Sequence, residues 1–109
     1  MSALFRVRVL AVSSTRLWCA VAGRLTVSTS CALHEELTTR CADALTVVLD
    51  LREVQLFTDD ALLKPPWPAG SQTIHLLAPS GLRAHSADPR VHWHTELDTA
   101  WQAWCAPSP

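Results

Sequence analysis

Apolar and polar positions alternate over the start of the chain. Phe5, Val7, Val9 and Ala11 fall on one side of an extended backbone and Arg6, Arg8 and Leu10 on the other, the period-two pattern of a half-buried strand. The polar stretch SSTR then predicts a turn and LWCAV (Leu17 to Val21) a returning strand. Residues 4–22 read as a β-hairpin whose second strand closes at Ala22-Gly23.

The period changes in TVSTSCALHEELTTRCADAL. Ser28 or Thr29 is placed to cap a helix from Thr29 to Ala44, with Ala32, Leu33, Leu37, Cys41 and Ala44 on one face. Leu45 to Leu49 is short, β-branched and apolar throughout, as a central strand covered on both faces requires, and Asp50 is expected to end it. Three prolines in ALLKPPWPAGS limit any helix starting at Asp59 to about one turn, so residues 61–72 should be irregular. Ile74 to Leu77 predicts a strand, PSGLRAHSADPR a turn-rich segment with at most a brief helix, and Val91 to His94 an edge strand. Thr95 and Asp98 have capping-box spacing for a last helix, Thr95 to Cys105, that presents Leu97, Ala100, Trp101 and Trp104 together. Strands alternating with crossover segments predict an α/β fold, a mixed sheet of four to five strands with helices packed on it.

At 109 residues one domain spanning 1–109 is expected, and nearly half the residues are apolar, enough for one core. The formal net charge is −1, and the basic residues, eight arginines and Lys64, are scattered, which argues against nucleic acid as a partner. Arg6, Arg8 and Arg16 interrupt the apolar residues at the start, so neither a signal core nor a membrane span is expected, and the protein is read as cytoplasmic. Cys19, Cys31, Cys41 and Cys105 have neither C-x-x-C nor zinc-ligand spacing and read as free thiols.

The order of elements and the wording of three segments resemble the STAS domain, found in bacterial anti-sigma factor antagonists and in the tails of sulfate transporters. Family members pair a G-x-L-D, followed by an apolar helix, with a later D-L-x-x-V-x-F-x-D-S-S-G-L. Here the first motif reads Gly23-Arg24-Leu25-Thr26 and the helix begins TSCALHEEL; the second runs from Asp50-Leu51-Arg52-Glu53-Val54 to Phe57-Thr58-Asp59-Asp60-Ala61-Leu62. The resemblance implies a non-enzymatic, cofactor-free regulatory domain in transcription control. Its implied partner is a protein of the anti-sigma factor or kinase class, and the domain itself is a monomer or weak dimer. Partner contacts fall on Arg24, Thr26, Ser28, Thr58, Asp59 and Asp60.

In the family a serine of the second motif is phosphorylated. Aligned without a gap, Asp59 and Asp60 replace both serines; with one residue inserted before Phe57, Asp59 is the family aspartate and Asp60 the first serine. Asp60 stands on a serine position either way. The pair reads as a cap on a helical stub or as a fixed, partial imitation of phosphoserine. The family's following helix is truncated by Pro65, Pro66 and Pro68. Trp67, set among them, is either a packing residue over the sheet edge or an exposed partner-binding anchor.

Competing chemistry rests on His92 and His94, which an extended strand sends to one face, with His75 or His85 as a third ligand. They support a small-ligand or metal-binding domain as the alternative, and solvent-facing histidines explain the spacing equally. No nucleophile elbow, phosphate loop or H-E-x-x-H occurs.

Overall fold

The alternating run at the start forms β1 (Phe5–Ser13), which turns through Ser14 and Thr15 into the antiparallel β2 (Arg16–Leu25). Ser14 adopts a left-handed φ of 51°, tolerable in a tight turn. The computed structural model describes residues 5–57, 67, 68, 70–78 and 89–106, with the backbone alone at Val27, Leu56 and Phe57. The remaining described elements are α1 (Val27–Arg40), β3 (Thr46–Phe57), β4 (Thr73–Leu77), β5 (Val91–His94) and α2 (Leu97–Cys105).

One five-stranded sheet in the order β1-β2-β3-β4-β5 joins them. Only the hairpin is antiparallel; β2, β3, β4 and β5 run parallel to their neighbours, so the sheet is mixed and the fold is α/β. Parallel strands joined by crossovers need cover on both faces. On one face Cys19, Val21 and Leu25 of β2, Val47, Leu49 and Leu51 of β3, and Ile74 and Leu76 of β4 pack with Leu33 and Leu37 of α1. On the other, Trp18, Val48 and Leu77 pack with Ala100 and Trp104 of α2. The guanidinium of Arg16 donates to the carbonyls of Trp104 and Ala106, supplying positive charge where the end of α2 presents unpaired oxygens.

Several expectations from sequence are corrected. β2 continues past Ala22-Gly23 to Leu25, because Gly23, at a φ of 113°, accommodates a bulge in the pairing with β3. Asp50 does not end β3, which runs seven residues further. Its buried carboxylate is held by the next residue on the same face: Arg52 donates from its backbone N–H and Nε to Oδ1, both at 3.0 Å, and from Nη2 to Oδ2 at 2.7 Å. A charge so engaged loses little by sitting in a strand.

The helices shift as well. α1 starts at Val27 on a Thr26 cap, ahead of Ser28 and Thr29, and ends at Arg40 instead of Ala44. α2 begins at Leu97 after Glu96, which makes no side-chain cap, so the Thr95–Asp98 capping box does not form. Trp101, expected in the core, is exposed, because only Ala100 and Trp104 of α2 face the sheet. Of the segment expected to be irregular, the described residues 67, 68 and 70–72 belong to no helix or strand; the rest, like the turn-rich 79–88, lies outside the described residues.

All four thiols are free. Cys19 and Cys41 lie inside the core, and burial, reinforced by Cys19, pushes the Cys41 thiol up to about 12. A thiol reagent at neutral pH is expected to label exposed Cys105 first and half-buried Cys31 more slowly. Cys19 and Cys41 should react only on unfolding, and rapid native labelling of either would contradict this packing.

Candidate functional site

The parallel register of β2 and β3 closes with Arg24 opposite Leu56 and Leu25 opposite Phe57. Both strands therefore leave the sheet at the same end, β2 into α1 through Thr26 and β3 into residue 58. Two segments more than thirty residues apart in sequence are made neighbours by hydrogen-bond register alone. Thr58, Asp59 and Asp60 themselves lie outside the described residues.

On the described side of this junction, Arg24 and Ser28 are exposed and Thr26 is half-buried. Thr26 and Thr29 form a reciprocal capping box. The Thr29 N–H donates to Thr26 Oγ1 at 3.4 Å, and the Thr26 N–H donates to Thr29 Oγ1 at 2.7 Å. The Thr29 hydroxyl in turn donates to the Arg24 carbonyl at 2.8 Å, tying the end of β2 to the first turn of α1. Thr26 thus performs locally the capping that an aspartate would perform there. The first turn of α1 contains no acidic residue, so its positive end meets no carboxylate from its own helix.

Trp67 is not part of this surface. Only 3% exposed, it lies edge-to-face against Trp93 of β5 with centroids 6.1 Å apart. Its carbonyl accepts from His34 Nδ1 of α1 at 2.6 Å, which fixes that imidazole as the Nδ1–H form. The reading of Trp67 as an exposed anchor is replaced by the packing one: the indole fills space beside α1 over the edge of the sheet. Its Nε1 has no hydrogen-bond partner among the described residues.

The histidines do come together, though not as ligands converging on one point. His75 of β4 stacks on exposed His92 of β5 at 5.2 Å, and His75 Nδ1 lies 2.9 Å from His94 Nε2. His94 Nδ1 lies 3.0 Å from Thr99 Oγ1, whose hydrogen goes to the Glu96 carbonyl. The directions follow from that last bond: His94 donates from Nδ1 to Thr99, accepts at Nε2, and His75 donates from Nδ1. Both nitrogens of His94 are consequently engaged, which corrects the expectation that His92 and His94 offer a paired ligand set. No group of three His, Cys, Asp or Glu side chains among the described residues is arranged to hold a metal ion. Burial first, then the neighbouring imidazoles, pushes His75 down to about 4 and His94 below its usual value.

A cleft of about 420 Å³ opens between α2 and β1–β3, its walls formed by Leu10, Ala11, Trp18, Leu97 and Trp101, with the Asp50–Arg52 pair and Asp98 as polar groups. Sequence reasoning missed it, since it depends on α2 leaving Leu97 and Trp101 uncovered. No described helix is long and apolar enough to cross a membrane.

No family model matches the chain, and no curated protein does. Among solved structures the chain resembles an anti-sigma factor antagonist from Mycobacterium paratuberculosis. The TM-score is 0.60 at 19% identity, and the match covers 92% of this chain and 93% of that one. The fold is STAS-like, as the two motif segments implied.

Two outcomes follow from the geometry. Thr26→Ala should destabilise the protein by about 1 kcal/mol in chemical denaturation, and Thr26→Asp should leave it nearly unchanged, since both residues cap. His75 and His94 are neutral in the fold, while the unfolded chain binds protons at the ordinary 6.5. Stability should therefore be complete above pH 6.5 and decline as pH falls toward 4, with His75→Gln flattening that slope in thermal melts.

Proposed function

We propose that this chain is a non-enzymatic regulatory module of the anti-sigma factor antagonist kind, acting in bacterial transcription control in the cytoplasm. It binds a protein of the anti-sigma factor or kinase class without using a serine phosphorylation switch. The contact surface is the Gly23 to Ser30 loop, the start of α1 and the Asp59–Asp60 turn. One observation carries the reading: the β2–β3 register, which ends with Leu25 opposite Phe57 and brings both motif segments to one end of the sheet. The similar solved structure, itself an anti-sigma factor antagonist, supports it.

The chemistry of the turn follows from its residues. A carboxylate has no hydroxyl to receive a phosphoryl group, so Asp60, standing on a serine position, closes that route of control. An aspartate carries one charge and two acceptor oxygens, against nearly two charges and three oxygens on phosphoserine. The imitation weakens a kinase-class partner's grip only in part. The metal-binding alternative loses its support in the engaged nitrogens of His94.

The double variant Asp59→Ser, Asp60→Ser tests this. Isothermal titration against purified anti-sigma factors of the kinase class should show tighter binding for the serine pair than for wild type, with phosphate incorporated into the variant alone. Equal affinities, with stability changed by no more than about 1 kcal/mol, would reduce the aspartates to helix caps. Failure of both proteins to bind any such factor would end the antagonist reading.

A further inference from the structure

The cleft between α2 and β1–β3 takes no part in the proposed partner surface. It lies on the α2 face of the sheet, where Ala11 and Trp18 pack, whereas α1 covers the opposite face. At about 420 Å³ it has the size of a small-molecule site, with mainly apolar walls and a few polar groups, as such sites usually have. Leu10, Leu97 and Trp101 line it while open to water, 52%, 45% and 54% exposed. Large apolar side chains left uncovered around one concavity mark a place where something binds.

Two features restrict what that is. The first is aromatic. Trp18, buried on β2, and Trp101, exposed on α2, hold their ring centroids 5.9 Å apart with their planes inclined at 45°, and Trp104 braces Trp18 edge-on at 5.6 Å. Indole faces carry the negative side of the ring quadrupole and attract a cation within about 6 Å of the centroid. The second feature is charge. Of the three charged side chains lining the cleft, Asp50 and Arg52 cancel each other, with both carboxylate oxygens taken up by Arg52. Arg8, in the same row of the sheet through Ala20, is itself paired with Glu53 at 3.3 Å. That leaves Asp98, exposed, one helical turn before Trp101 and in none of the ion pairs among the described residues. The lining therefore carries one uncompensated negative charge beside two indoles.

We infer that the cleft binds an organic cation, a quaternary ammonium carried on an apolar body. A primary ammonium brings three N–H donors, and with Asp50 saturated the lining offers it one carboxylate. A fully methylated nitrogen has no N–H to satisfy, and its charge is presented through methyl groups that pack on indole faces. An anion would meet those same faces and Asp98, with the Arg52 guanidinium already committed to Asp50. The inference stands apart from the antagonist reading, since neither Arg24, Thr26 nor Ser28 lines the cleft.

Isothermal titration of the full chain with three probes of similar shape tests this: benzyltrimethylammonium, the neutral 2-methyl-1-phenylpropan-2-ol and the anionic phenylmethanesulfonate. The cation should bind saturably, about tenfold tighter than the alcohol, and the sulfonate should not bind. Benzylammonium should bind more weakly than its trimethylated form. Trp101→Leu, which keeps an apolar wall but removes the indole face, should weaken the cation far more than the alcohol, and Asp98→Asn should weaken the cation alone. Both positions are exposed, so the circular dichroism of each variant should match wild type. A check on unaltered protein uses the indole N–H resonances: those of Trp18 and Trp101 should shift during the titration while those of Trp67 and Trp93, packed on the α1 face, stay in place. Equal binding of cation and alcohol would leave the cleft merely apolar, and preference for the sulfonate would make Arg52 its determinant. Absence of saturable cation binding, or cation affinity unchanged in both variants, would remove the site. Each of these results overturns the inference.

Discussion

The parallel pairing of β2 with β3 is the constraint from which the rest of the molecule follows. Two long strands running side by side in the same direction expose two apolar faces, and neither can be left to water. α1 covers one face through Leu33 and Leu37, and α2 covers the other through Ala100 and Trp104. The same pairing decides where chemistry can be placed. Strands that run together end together, so the Thr26 cap and the exit toward Asp59 share one end of the sheet whatever happens in between. β3 keeps that register only by absorbing two extra residues, one between Asp50 and Glu53 and one between Val54 and Leu56. Bulges here extend pairing to the point where it brings the two motif segments together.

Much of this was legible in the residues because hydrophobic period reports burial directly. The hairpin, the apolar run at Val47 to Leu49 and the Leu33–Leu37 stripe needed no tertiary information. What escaped was decided by individual side-chain hydrogen bonds between near neighbours, which hydrophobic period does not report. Asp50 carries a strong signal to stop a strand, and only the fork of Arg52 on the same face cancels it. Thr95 and Asp98 have the spacing of a capping box, yet the helix starts later, with Thr99 engaged by His94 and Glu96. Thr26 looks like the loss of an aspartate until its hydroxyl is seen to accept from Thr29.

The histidines show the same limit more sharply. An H-x-H spacing on a strand says that two rings share a face, and the rings do share one. It does not say what stands on the adjacent strand. His75 pairs in register with His92 and its ring reaches His94, converting a candidate ligand pair into a directed chain of hydrogen bonds from strand to helix. The Trp67 segment is a parallel case: prolines forbid a helix, and sequence cannot tell whether the indole between them faces inward or outward. The carbonyl contact from His34 and the edge of Trp93 settle it inward.

The sheet also sorts the indoles. Trp67 and Trp93 touch each other on the α1 face, whereas Trp18, Trp101 and Trp104 form a separate group on the α2 face. The protein has no tyrosine, so its near-ultraviolet absorption and emission come almost wholly from these five rings. Each layer of the molecule therefore carries its own chromophores, insulated from the other layer by the strands between them. Optical spectroscopy on single-tryptophan replacements can watch one side of the sheet loosen while the other holds.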